Sequence, residues 1–396
     1  MKKNSDLFVI GFSSIGHTLC HLQTLLYPTV IISLEQELGL SFKELAGLAV
    51  PAAFLFGAGS LPAGWLGDRW SKTKLLEIFF YGTAFFTIFT GFARTPLMLG
   101  FGLSGIGLFA SIYHPVGMSW LVSRTSKTGT ALGFNGVFGS LGFVLAPLLA
   151  GALTGFWSWR SAFIFPGVVC FFVGILFSIS LRTVMGGLEK PLEESAKRYT
   201  NSRNVWIIFG LMGSALLFTG IFHQMIQFSL PKDFDLRVHL TSGSLIGTGS
   251  MVALVYTAGA LGQLSCGRLA DSLSDRKIYF CLFLILIPLV VLASQLSEMP
   301  LVLIMMVVVF ISTGSLPVEN TLLARYAPSN RHGVVFGSKF LLGFGFSSIG
   351  IYLSGWIFDT SGSFLWLYFL LAFLSIAVSV IAFFLPRKKI FQTIKM

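Results

Sequence analysis

The chain has 396 residues, of which 54% are hydrophobic and only 11% charged. Soluble domains carry about 25% charged residues, so a soluble globular fold is excluded, and 41 phenylalanines need a lipid surface to lie against. The net charge of +11 does not indicate nucleic acid, because Lys and Arg fall in short turns between apolar runs rather than in one patch.

Each run is about 20 residues long, enough to cross a bilayer as a helix. The alternation of a transmembrane strand is not seen. Twelve spans are expected in order, at about 7–33, 44–66, 75–93, 97–122, 131–155, 160–182, 204–230, 244–269, 278–295, 299–324, 334–357 and 363–386. The expected fold is an all-α integral membrane protein. With the N-terminus inside, only Lys43, Arg94, Arg160, Lys232 and Arg237 fall outside. The positive-inside bias therefore puts both termini in the cytoplasm. Met1-Lys2-Lys3 leads into a full-length apolar run with no small-residue cleavage site, so no cleavable signal is read. Cys20, Cys170, Cys266 and Cys281 have neither metal nor disulfide spacing and read as small apolar residues.

Between spans 2 and 3 the chain turns through Gly64-Trp65-Leu66-Gly67-Asp68-Arg69-Trp70-Ser71-Lys72. A similar turn, Gly267-Arg268-Leu269-Ala270-Asp271 with Arg276 and Lys277, follows span 8. Asp68 and Asp271 are 203 positions apart, Pro28 and Pro231 also 203, and Pro115 and Pro317 202. A constant offset marks a tandem repeat. Residues 1–182 and 204–396 are thus two pseudo-symmetric six-helix bundles, joined by a polar, mixed-charge cytoplasmic linker at 183–203.

This arrangement resembles the major facilitator superfamily, whose motif G-x-L-A-D-R-x-G-R-K lies between spans 2 and 3. Gly64, Leu66, Asp68, Arg69 and Lys72 match it, with Gly67, Ser71 and Thr73 departing. The second copy keeps Gly267, Leu269, Ala270, Asp271, Arg276 and Lys277. The resemblance implies that both turns are cytoplasmic gate elements, an Asp seated against a helix N-terminus and basic side chains. Topogenic anchoring is the other role open to them. Trp159-Arg160-Ser161-Ala162-Phe163 resembles the superfamily's start of span 6. Ala146-Pro147-Leu148-Leu149-Ala150-Gly151 resembles the antiporter motif G-P-x-x-G-G with two glycines replaced by Ala. Tyr113-His114-Pro115-Val116-Gly117 and Gly337-Ser338-Lys339-Phe340 resemble a bacterial subgroup that includes fosmidomycin-resistance exporters. His17 matches that subgroup, while His21 stands where its Asp is expected.

Ionisable residues inside spans are costly and mark function. The resemblance implies that spans 1, 4, 7 and 10 line a central cavity. His17 and His21 lie one helical turn apart in span 1, His114 and Tyr113 in span 4, and His223, Gln224 and Gln227 in span 7. The histidines are expected to bind solute and exchange protons. Neutral histidines bonded to neighbouring helices are the structural alternative. A metal site on His17 and His21 is a third reading, but no acidic or cysteine ligand stands beside them, so no metal is assigned. Gln23 is read as pointing elsewhere. Glu319 and Lys339 are expected to form an ion pair or coupled switch, and Glu77 to join the Asp68–Arg69 cluster. Glycines at helical spacing, such as Gly133, Gly136, Gly139 and Gly142 in span 5, suit close or sliding helix contact.

The expected function is secondary transport by alternating access of a small neutral or anionic, partly apolar solute, coupled to protons and directed outward across a bacterial inner membrane. The protein is expected to act as a monomer and to need no cofactor. The alternatives are transport of a transition metal or metal chelate, and a non-transporting sensor on the same fold. No phosphate loop, nucleophile–base pair or catalytic carboxylate pair suggests an enzyme.

Overall fold

A computed structural model describes residues 2–184, 205–240, 243–326 and 332–386, and their regular structure is helical throughout. The first half comprises α1 (Lys2–Thr24), α2 (Tyr27–Leu38), α3 (Phe42–Arg69), α4 (Lys72–Gly91), α5 (Pro96–Ala110), α6 (Met118–Arg124), α7 (Thr128–Phe156) and α8 (Trp159–Val184). The second comprises α9 (Val205–Arg237), α10 (Leu245–Ser272), α11 (Asp275–Gln295), α12 (Glu298–Tyr326), α13 (His332–Phe340), α14 (Ile349–Ser361) and α15 (Leu365–Phe384). Most of the 183–203 linker lies outside the described residues.

Among the described residues ten segments are singly long and apolar enough to cross a membrane, which makes this a multi-pass membrane protein. Spans 1 and 3 are the other two expected crossings, and each has a local reason to be weaker. Span 1 is broken between α1 and α2, where Pro28 has no N–H for the preceding turn. Span 3 is α4, whose first turns carry Lys72, Lys74 and Glu77. Both pack inside the first bundle, α1 along α7 and α4 along α5 and α8.

The ladder of span 4 opens into a π-turn at Tyr113–Gly117, between α5 and α6. Pro115 cannot donate to the Ser111 carbonyl one turn back. Ser60 of α3 takes over that carbonyl, its Oγ lying 3.3 Å away. A second π-turn, Leu341–Gly345, joins α13 to α14.

The bundles meet along α7 and α10, α3 and α14, and α2 and α9. At the first seam Gly151 and Gly249 let two backbones touch: a Cβ on either would overlap the carbonyl of Leu245 or of Pro147. The antiporter-like segment is therefore a packing seam between the bundles. The turns at residues 39–41 and 92–95 end the first and third crossings and so share the face opposite the start of α1. There Lys232 Nζ of α9 lies 2.6 Å from Glu35 Oε2 of α2, and the Lys43 amide donates to Asp359 Oδ2 at 3.2 Å. Both contacts hold the bundles together.

Candidate functional site

His17 and His21 project from one face of α1, and the π-turn brings His114 to meet them. His17 and His21 approach at 3.2 Å between their Nε2 atoms. The His114 ring centroid lies 5.2 Å from each of the others. One ligand atom from each residue falls within 4.8 Å of the others. His223, the fourth expected histidine, is not part of this cluster; its Nε2 is buried without a hydrogen-bond partner among the described residues.

Asn135 of α7 fixes the cluster. Its backbone and side-chain oxygens each lie 2.9 Å from His17 Nδ1. Its amide Nδ2 donates to the Tyr113 hydroxyl at 2.8 Å, and that hydroxyl donates to the Ser13 carbonyl at 2.6 Å. Tyr113 is fully buried and stacks on His17 with ring centroids 5.0 Å apart. It is not among the described residues that line the cavity. Gly139 leaves room for the His17 ring, since a Cβ there would stand 2.6 Å from His17 Nε2.

His21 also belongs to the wall of a cavity between the bundles. The facing polar side chains are Gln224 and Gln227 of α9, and the apolar wall includes Phe56, Phe143 and Phe344. Gln23 borders the same cavity, but its side chain is 2% exposed and meets Cys170 of α8, turned away from the face that carries His21. Among the described lining residues there is no carboxylate.

In the second bundle Lys339 Nζ stands 2.7 Å from Glu319 Oε1 and donates to Asn320 Oδ1 at 2.6 Å. The Tyr279 hydroxyl donates to Glu319 Oε2 at 3.0 Å and lies 2.8 Å from Thr219 Oγ1. Phe340, the neighbour of Lys339, stacks on His114 with centroids 4.9 Å apart. The two polar clusters thus sit on either side of one aromatic contact between bundles.

The charged turns are arranged differently from expectation. Asp68 is exposed and forms no ion pair among the described residues. Arg69 lies over the Trp65 ring at 4.5 Å. Glu77 does not join them: it accepts from Ser178 Oγ at 2.6 Å, because α4 carries it toward α8. Gly64 packs near Pro115, and Lys72 is half-buried. In the second turn Asp275 pairs with Arg325 at 2.7 Å, and Arg276 donates to the Leu385 carbonyl at 2.5 Å. These contacts tie α11 to α12 and to the end of α15. Lys277 is exposed, and the Asp271 side chain lies outside the described residues.

One buried cluster was not anticipated. Asp233 accepts from the Tyr368 hydroxyl at 2.7 Å and pairs with Arg237 at 3.2 Å. Arg237 also donates to the Ala293 carbonyl at 2.6 Å. Helix α9 continues well past Pro231, so these residues are helical rather than loop. The signal available was the i,i+4 spacing of Asp233 and Arg237.

Twelve expected crossings in two repeats, meeting around a cavity, define a membrane carrier. The sequence model of the Major Facilitator Superfamily matches residues 12–254 and 234–392, and the chain belongs to that superfamily. It is 24% identical over 328 residues to an uncharacterized MFS-type transporter, MJ1560, of Methanocaldococcus jannaschii, covering 79% of each chain. It is 33% identical over 186 residues to a probable anion transporter 6, chloroplastic, of Arabidopsis thaliana, covering 43% of this chain and 34% of that protein. Its fold is similar to a bacterial homolog of the human lysosomal transporter Spinster in an inward-facing, occupied conformation. The TM-score is 0.74 at 16% identity, covering 96% of this chain and 94% of that one. The protein is a secondary transporter that works by alternating access, and not an enzyme.

Proposed function

We propose that the chain carries a small organic anion with an apolar portion and couples its movement to protons through Glu319 and Lys339. The observation that carries this reading is the cavity wall. It offers the hydrogen-bonding side chains of His21, Gln224 and Gln227 beside aromatic surface, and no carboxylate among its described residues. A cation would find no counter-charge there, whereas a carboxylate or phosphate finds donors. Similarity to a probable anion transporter supports the same class.

A carrier needs a group whose charge changes with occupancy. Lys339 is neutralised by Glu319 at 2.7 Å. A proton on Glu319 releases the ammonium, which an incoming anion then balances. Loss of the anion returns Lys339 to Glu319 and expels the proton. The drug specificity of the exporter subgroup is not carried over, because the chain is similar to a probable anion transporter. In this reading the termini face the cytoplasm, in line with the Lys and Arg distribution.

The test is purified protein in liposomes containing a pH-sensitive dye. Sugar acids, dicarboxylates, neutral sugars and organic cations are added with and without a pH gradient of either sign. Anion-dependent proton movement is expected, and its sign assigns symport or exchange. Proton movement driven only by neutral or cationic solutes overturns the assignment.

A further inference from the structure

We propose that His17, His21 and His114 bind one divalent transition-metal ion of the class that favours imidazole nitrogen, with Zn2+ as the representative. The sequence offers only the i,i+4 pair on α1. The third ligand comes from the π-turn at Tyr113–Gly117, which local spacing on α1 does not reveal.

The distances suit a metal. Zinc–nitrogen bonds of about 2.0–2.1 Å put two ligands of a tetrahedral site about 3.3 Å apart. The His17 and His21 Nε2 atoms already stand at 3.2 Å. All three ligand atoms lie within 4.8 Å of one another, so side-chain adjustment brings the third into range.

The hydrogen bonds suit one too. Asn135 spends its Nδ2 protons on Ser13 Oγ and the Tyr113 hydroxyl, which turns its Oδ1 toward His17. His17 Nδ1 therefore faces two acceptors, each at 2.9 Å, and must carry the ring proton. Its Nε2 is left with a lone pair aimed at His21. This is the outer-shell arrangement that orients a metal-bound histidine and raises its basicity. His114 Nε2 is buried with no hydrogen-bond partner among the described residues, as expected of a ligand atom without its ion.

The ligand set selects the ion. Three neutral imidazoles without a thiolate suit Zn2+, Co2+, Ni2+ or Cu2+ rather than Cu+ or a hard ion such as Mg2+. Lys339, the cation near His114, is neutralised by Glu319. All three ligands belong to one bundle, so the ion ties α1 to the π-turn and leaves the bundles free to rock. Because His21 also lines the cavity, a bound cation adds positive charge to the wall.

The test uses full-length protein in detergent, stripped with EDTA and titrated with Co2+ alone. One equivalent should produce the visible bands of a four-coordinate cobalt site, and Zn2+ should displace them. His17→Gln, His21→Gln and His114→Gln should each weaken binding by about ten-fold or more. His239→Gln, at an exposed position on the opposite face, should not. X-ray absorption of the wild-type zinc complex should show three imidazole nitrogens and needs no variant to fold. Absence of the bands, or bands that survive His114→Gln, overturns the site. The binding assay involves no transport, so it stands or falls separately from the anion assignment.

Discussion

Lys339 and Glu319 form an ion pair at 2.7 Å, with side chains 12% and 2% exposed. A pair so placed is held by mutual need: removing one partner strands the other charge, at about 3–5 kcal/mol. Glu319→Gln should therefore lower the melting temperature in detergent. Glu319→Gln combined with Lys339→Met should recover most of that loss, because the uncompensated charge is gone. Both variants should transport without dependence on a pH gradient. Retention of wild-type pH dependence in Glu319→Gln would remove this pair from the coupling step.

The Tyr113 hydroxyl donates to the Ser13 carbonyl and accepts from Asn135. Tyr113→Phe keeps the ring on His17 but removes one of the donors to the Ser13 carbonyl and an acceptor for Asn135. The expected destabilisation is about 1–3 kcal/mol. Asn135 also loses the contact that orients its oxygen toward His17, so the variant should bind Co2+ more weakly than wild type. A melt and a metal titration on one preparation check both effects. Unchanged metal affinity would show that Asn135 is held by Ser13 alone.

Much of this arrangement was legible in the sequence because lipid imposes simple rules. Length and apolarity marked the crossings, and the 203-residue offset between Asp68 and Asp271 gave the repeat. Charge cost in lipid singled out Glu319, Lys339 and the histidines. What the sequence concealed depends on breaks in helical register. The π-turn swings His114 onto span 1. The extended α9 buries Asp233 beside Tyr368. Glu77 shows the same limit: proximity in sequence suggested Asp68 as its neighbour, while the direction of α4 gave it Ser178.

Two glycines on α7 provide a matched comparison. A Cβ on Gly139 would stand 2.6 Å from His17 Nε2, whereas one on Gly136 would meet nothing within 4 Å. Both substitutions gain similar helix propensity, about 1 kcal/mol. Gly136→Ala should leave stability and Co2+ binding equal to or better than wild type. Gly139→Ala must displace the His17 ring and should weaken Co2+ binding by at least about ten-fold. Equal behaviour of the two variants would mean that α7 shifts to accommodate the methyl group and does not hold the cluster.

Closure of the face opposite the termini rests partly on Glu35 and Lys232, 2.6 Å apart and 18% and 14% exposed. They come from different bundles, so their pairing exists only while that face is closed. Lys232 also lies over the Phe358 ring at 5.7 Å, so Glu35→Gln leaves it a second contact and should cost closure only about 1 kcal/mol. A change of that size is about a five-fold shift in the ratio of open to closed forms. Cysteine introduced at Gln227, on the cavity wall, reports the shift. Its modification by a water-soluble maleimide added from that face should accelerate about five-fold when Glu35→Gln is added. An unchanged rate would mean that the α7–α10 seam at Gly151 and Gly249 and the Lys43–Asp359 contact hold the face closed without this pair.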